Sequence, residues 1–203
     1  MRITQIDKDN KKYKVYIDDE YAFCLFYKEL TRYDLKLEGE ITMDCLETIQ
    51  REVIVKRGTQ YIYHLLAKRA YTYYELQKKM LKAGYIDVLI ELVLDKFLKN
   101  GFIDDASYAS RTIENMHKDK SNAQIVYYLK NKGIESTIIQ AALEELGLDE
   151  LVAAKKVILK RLRGKEELTF LEKGKLFKYM LNKGYKADTI KTVLSFLDEK
   201  NGD

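Results

Sequence analysis

Proline and tryptophan are missing from the 203 residues, and only two cysteines and two histidines occur. Without proline no position has a locked φ or a lost amide donor, a composition that favours uninterrupted helix. Cys24 and Cys45 are too few and too isolated for a disulfide framework or a zinc cluster, so both read as small packing residues. His64 and His117 have no Cys or carboxylate neighbours at ligand spacing, and no transition metal is expected. No apolar run approaches the ~20 residues that cross a bilayer, and no basic leader precedes an apolar stretch. The expected location is therefore the cytoplasm, away from the membrane. A Walker A loop, a dinucleotide-type glycine pattern, an HExxH pair and a nucleophile elbow are all lacking. Neither an enzyme nor a bound cofactor is expected.

What is present is a Lys- and Tyr-rich chain with 46% apolar residues, enough to bury a core in one or two domains. The small net charge of +4 hides a mosaic. Residues 101–150 carry 5 basic against 9 acidic side chains, whereas residues 151–203 carry 13 against 7. A basic C-terminal quarter of this kind can steer a polyanion without coating the whole surface.

Two periodicities divide the chain. Tyr13, Val15 and Ile17 alternate on one side of Asp18-Asp19-Glu20, and Tyr21, Phe23 and Leu25 on the other, which predicts half-buried strands. With Arg2 to Asp7 they form a small antiparallel meander. From Thr42 the period becomes helical, and a repeat emerges around Gly84, Gly133 and Gly184. Leu76, Ile125 and Leu176 stand eight residues before these glycines, and Met80, Leu129 and Met180 four before. Ile90, Ile139 and Ile190 stand six after, followed at matching offsets by Val93, Ala142 and Val193. Those spacings lie on one face of a helix before and a helix after each glycine, which itself suits a left-handed helix cap. Capping boxes open the leading helices at Thr72 with Glu75, Ser121 with Gln124 and Thr169 with Glu172. Preceding helices are expected near 56–70, 104–117 and 149–163.

The reading is mainly α: tandem three-helix repeats in an elongated curved array behind an N-terminal β segment. The boundaries are 1–41 for the β meander and connector, 42–103 for a linking helix and first repeat, 104–148 for the second repeat and 149–203 for the third. A unit of about 50 residues has a marginal private core, so neighbours are expected to pack end to end.

The paired acids in GFIDDASYA, Asp104 and Asp105, invite a catalytic or metal reading. Their position after Gly101, echoed by Gly147-Leu148-Asp149-Glu150, favours helix capping instead. The stretch AKKVILKRLRGK sets Lys155, Lys156, Lys160, Arg161, Arg163 and Lys165 beside an apolar stripe of Ala154, Ile158 and Leu162, with no acid between. It serves equally as a phosphate-binding or a solvated face. Lys130 and Lys132 with Tyr127 and Tyr128 form a smaller basic-aromatic face, although such tyrosines more often pack against helices. The helix after Gly84 carries Asp87, Glu91 and Asp95, and that after Gly133 carries Glu135, Glu144 and Glu145. These acids disfavour a base-reading helix-turn-helix and leave open an acidic surface for a basic protein.

AKRAYTYYELQKKMLKAGY, GFIDDASYA, KSNAQIVYYLKNKGI and the weaker LNKGY together resemble the RecX family of bacterial recombination regulators, with IDDEYAF similar to its extended members. The resemblance implies a protein that binds the RecA recombinase, chiefly its nucleoprotein filament, and single-stranded DNA directly or within it. Such a protein would limit filament extension or promote disassembly and so restrain ATP hydrolysis, strand exchange and the SOS response, without hydrolysing ATP itself. A monomer is expected, with basic faces near DNA and acidic helices against recombinase subunits. Lys155, Lys156, Lys160, Arg161 and Arg163 are the primary contact candidates, and Lys130 and Lys132 the secondary ones. HKDKSNAQ is nearly uncharged where family members often carry more arginine, and no contact is assigned to it. The rival expectation is a sequence-nonspecific DNA-binding module without a recombinase partner.

Overall fold

A computed structural model describes residues 1–164 and 168–199; Lys165 lies outside the described residues. The chain divides into two compact units, Met1–Asp104 and Asp105–Asp203.

Unit 1 begins with a meander of β1 (Ile3–Asp9), β2 (Lys12–Ile17) and β3 (Glu20–Phe26), each antiparallel to the next. Asp18 and Asp19 both have positive φ, 48° and 67°, as a two-residue hairpin turn with matching twist requires. Alternation places Val15, Ile17, Phe23 and Leu25 in the core. A short helix unforeseen in the sequence, α1 (Tyr27–Arg32), follows without a break.

The linking helix and the first helix of the first repeat are one continuous rod. It comprises α2 (Met43–Ile49), a π-helical segment (Gln50–Val55) and α3 (Lys56–Leu66). The wider π turn rotates the apolar face, burying Ile54 and Val55 side by side before Ile62 and Leu65. Period counting at 3.6 does not anticipate this shift. The rod also ends at Leu66 rather than near residue 70, because the chain must turn to set Thr72 in the extended conformation of an N-cap (φ −76°, ψ 160°). Arg57 links α3 to the sheet and to α1, donating to the Cys24 carbonyl at 3.1 Å and pairing with Glu29. The unit closes with α4 (Tyr73–Lys82) and α5 (Asp87–Lys99), whose Leu76, Met80, Ile90, Val93, Leu94 and Phe97 join the sheet in one core.

Unit 2 contains α6 (Asp105–Met116), α7 (Asn122–Asn131) and α8 (Ser136–Leu146), then α9 (Glu150–Leu162), α10 (Phe170–Asn182) and α11 (Ala187–Glu199). All three expected capping boxes form, at Thr72, Ser121 and Thr169. Gly84, Gly133 and Gly184 have φ of 88°, 78° and 81°, so each leaves its helix in the left-handed region where a Cβ is disfavoured. Each trio in unit 2 owns a separate core: Ala109, Ile113, Ile125, Leu129 and Ile139 in one, and Ala154, Ile158, Leu176, Met180 and Ile190 in the other. Asp105 sits in the first turn of α6, and Asp149 caps α9 by accepting from the Leu151 amide at 2.9 Å. Among the described residues no group of three or more His, Cys, Asp or Glu side chains could hold a metal, and no helix is long and apolar enough to cross a membrane.

Candidate nucleic-acid interface

Polar contacts join the two trios of unit 2. The buried Ser121 hydroxyl accepts from the Gln124 amide and donates to the Lys183 carbonyl at 2.6 Å, tying the start of α7 to the turn after α10. The Asn122 amide donates to Glu150 at 2.7 Å. Gly184 lies so close that a Cβ there would stand 2.8 Å from the Ala123 Cβ. Nearby, Tyr185 is buried, which pushes its phenol up to about 12.

Beside this junction runs a groove of about 830 Å³. From α9 come Lys156 and Lys160, one helical turn apart, and Arg161; Arg163 follows at the helix end, in the left-handed region at φ 50°. The turn before α7 supplies Asp119 and Lys120, α10 supplies Tyr179, and the C-cap of α10 supplies Lys183. Among the described residues, six cations thus face one carboxylate. Lys156 holds Asp119 at 2.8 Å, and that hydrogen bond, helped by the nearby positive charge, keeps the Asp119 carboxyl below its ordinary pKa. The Arg161 guanidinium lies 4.0 Å from the Tyr179 ring centre and Lys183 Nζ 5.3 Å from it. The ring orients two cations that would otherwise repel each other. These convergent groups, most of them exposed, give the groove a strongly cationic surface.

Of the residues expected from the sequence, Lys156, Lys160, Arg161 and Arg163 converge here. Lys155 is exposed one position further round α9 and does not line the groove. Neither do Lys130 and Lys132 on α7; Lys132 lies 5.5 Å from the centre of the Tyr128 ring. Tyr127 is 71% exposed, unlike the packed tyrosines expected there. Lys120, Tyr179 and Lys183 were missed, although Lys183 stands in the repeat marker LNKGY and Tyr179 matches Tyr128, each five residues before its glycine. The acids of α5 and α8, Asp87, Glu91, Asp95, Glu135, Glu144 and Glu145, lie at least partly open to solvent.

Comparison with known proteins bears on what such a chain does. The family model described as "RecX, second three-helix domain" matches residues 104–143. "Regulatory protein RecX" of Streptococcus gordonii is 30% identical over 204 residues, spanning 98% of this chain and 78% of that one. The chain belongs to the RecX family. A second RecX protein, from Clostridium tetani, is 29% identical over 209 residues, spanning 99% of this chain and 96% of its own. The fold agrees as well: "Crystal structure of regulatory protein RecX" superposes with a TM-score of 0.66 at 22% identity, over 96% of this chain and 98% of that one. RecX proteins are regulators by name, and the three-helix repeats read from the sequence are a RecX feature.

Proposed function

We propose that this RecX-family protein restrains the RecA recombinase by binding its nucleoprotein filament, with the groove of unit 2 contacting DNA phosphates. Filament extension, ATP hydrolysis and strand exchange are thereby suppressed, which moderates recombinational repair and the SOS response. The protein acts by binding rather than catalysis, as a cytoplasmic monomer. Residues 104–148 and 149–203 serve as its second and third repeats, and the groove lies where they meet. One observation carries the DNA contact: among the described residues, six cations against one carboxylate, drawn from three separate stretches of chain. A merely solvated helix face would not recruit Lys120 and Lys183 from other elements. Family membership supports the regulatory role, and the acids of α5 and α8 suit a basic protein surface.

The test is a titration of the protein into a RecA ATPase assay on single-stranded DNA, with naked-DNA binding measured alongside. Lys160→Glu with Arg163→Glu should weaken inhibition and flatten the salt dependence of DNA binding, by about 0.7 in log–log slope for each phosphate no longer neutralised. Lys155→Glu should do little. Unchanged inhibition by the folded double variant would remove the groove from the mechanism. Tight naked-DNA binding with equal suppression of unrelated DNA transactions would favour the nonspecific module.

A further inference from the structure

Unit 1 carries a second cationic surface that the DNA reading does not use. Across β2 and β3, Lys12 pairs with Phe26 and Lys14 with Cys24. These residues point outward because their neighbours Val15, Phe23 and Leu25 point into the core. The turn after α4 packs beside this outer face, fastened by the Tyr21 hydroxyl donating to the Gly84 carbonyl at 2.5 Å. A groove of about 710 Å³ opens between sheet and turn.

Lys11 and Lys82 join Lys12 and Lys14 around it, and among the described residues the one carboxylate in the lining is Asp9, already held by Lys14 at 3.0 Å. The groove also has apolar lining: Phe26 is 39% and Leu81 44% exposed, with half-buried Cys24 between the strands and the turn. Concave apolar surface inside a charged rim is the anatomy of a protein-docking site.

We propose that this groove docks an acidic protein segment bearing an aliphatic side chain. Carboxylates of the segment meet Lys11, Lys12 and Lys82, and the side chain covers Leu81 and the Cys24 thiol. Nucleic acid fits less well. Stacking a base needs a free aromatic face, and the Phe26 ring has Arg57 at 4.8 Å and Lys12 Nζ at 5.9 Å from its centre. The other ring of the lining, Tyr21, is part-buried, packed edge-on against Tyr16 at 5.6 Å between ring centres and held by its hydroxyl to the Gly84 carbonyl. The proposal stands on unit 1 alone and does not depend on the groove of unit 2.

Fluorescence anisotropy of the full chain with a fluorescein-labelled peptide of alternating aspartate and leucine tests it, beside a leucine-free polyglutamate peptide of equal charge and an oligo-dT strand. The aspartate–leucine peptide should bind saturably and more tightly than polyglutamate. Lys11→Glu with Lys82→Glu should weaken it roughly tenfold, since each reversal replaces a rim attraction by a repulsion. Leu81→Ser should weaken it while leaving polyglutamate unaffected, and Lys160→Glu with Arg163→Glu should change nothing. Equal binding of the two peptides, indifference to the Lys11 and Lys82 reversals, or loss of oligo-dT binding in that variant would each overturn the proposal.

Discussion

Gly184→Ala probes the junction on which the unit 2 groove rests, and Gly101→Ala supplies its internal control. Both glycines are left-handed, with φ of +81° and +71°, so an added Cβ carries the same backbone cost of about 1–2 kcal/mol at each. Their surroundings differ. At Gly101 nothing lies within 4 Å of the new carbon, whereas at Gly184 it would meet the Ala123 Cβ at 2.8 Å and the Ser121 Oγ at 3.1 Å. Carbon atoms rest about 3.5–4.0 Å apart. Ala123 cannot rotate away, since its Cβ is fixed to the backbone of α7. Overpacking of this kind costs about 1–3 kcal/mol, so Gly184→Ala should destabilise by about 2–5 kcal/mol and exceed Gly101→Ala by about 1–3 kcal/mol. Urea denaturation of both variants, with unchanged m-values, measures the difference. The variant should also bind DNA less well, because Lys183 moves with the turn. Equal destabilisation at the two sites would refute the close packing of the junction.

Ser121→Ala removes both a cap and the bond to the Lys183 carbonyl and should cost about 1.5–3 kcal/mol; Thr169→Ala, at an exposed cap, should cost about 0.5–1 kcal/mol in the same denaturation assay. Asp119→Asn frees Lys156 for phosphate, so single-stranded DNA affinity should rise about two- to fivefold and the salt slope steepen by about 0.7. Weaker binding by that variant would show Asp119 to be a positioning group instead of a competitor. The Tyr185 phenol, raised to about 12 by burial, keeps its proton in the folded chain after the unfolded chain has lost it. Its contribution is complete below about pH 10 and lost as pH rises toward 12. The Tyr185 hydroxyl is buried and has no hydrogen-bond partner among the described residues, so Tyr185→Phe should leave neutral-pH stability intact and reduce the alkaline loss. An identical alkaline profile in the variant would contradict this.

Local pattern was enough to read the strands, the three capping boxes and the glycines that end the helices, because each depends on residues at most a few turns apart. The core positions followed for the same reason: Leu76, Ile125 and Leu176 recur at one offset and all three are buried. The four α9-derived groove cations were legible as an acid-free helix stripe. Convergence was not. Lys120, Tyr179 and Lys183 reach α9 from stretches far away in sequence, and no periodicity reports which helix will lie beside which. The same limit hid Asp119, whose pairing with Lys156 places a carboxylate in a stretch that looked purely basic, and the π segment, whose extra residue per turn exists to fit Ile54 and Val55 to a core that includes the sheet. What the sequence determined by itself was the identity and boundaries of most elements and the family they compose, since backbone propensity and capping act locally. Which of its many lysines and arginines share one groove was decided only by the packing of repeat against repeat, where a buried serine and a glycine without a side chain set the distance.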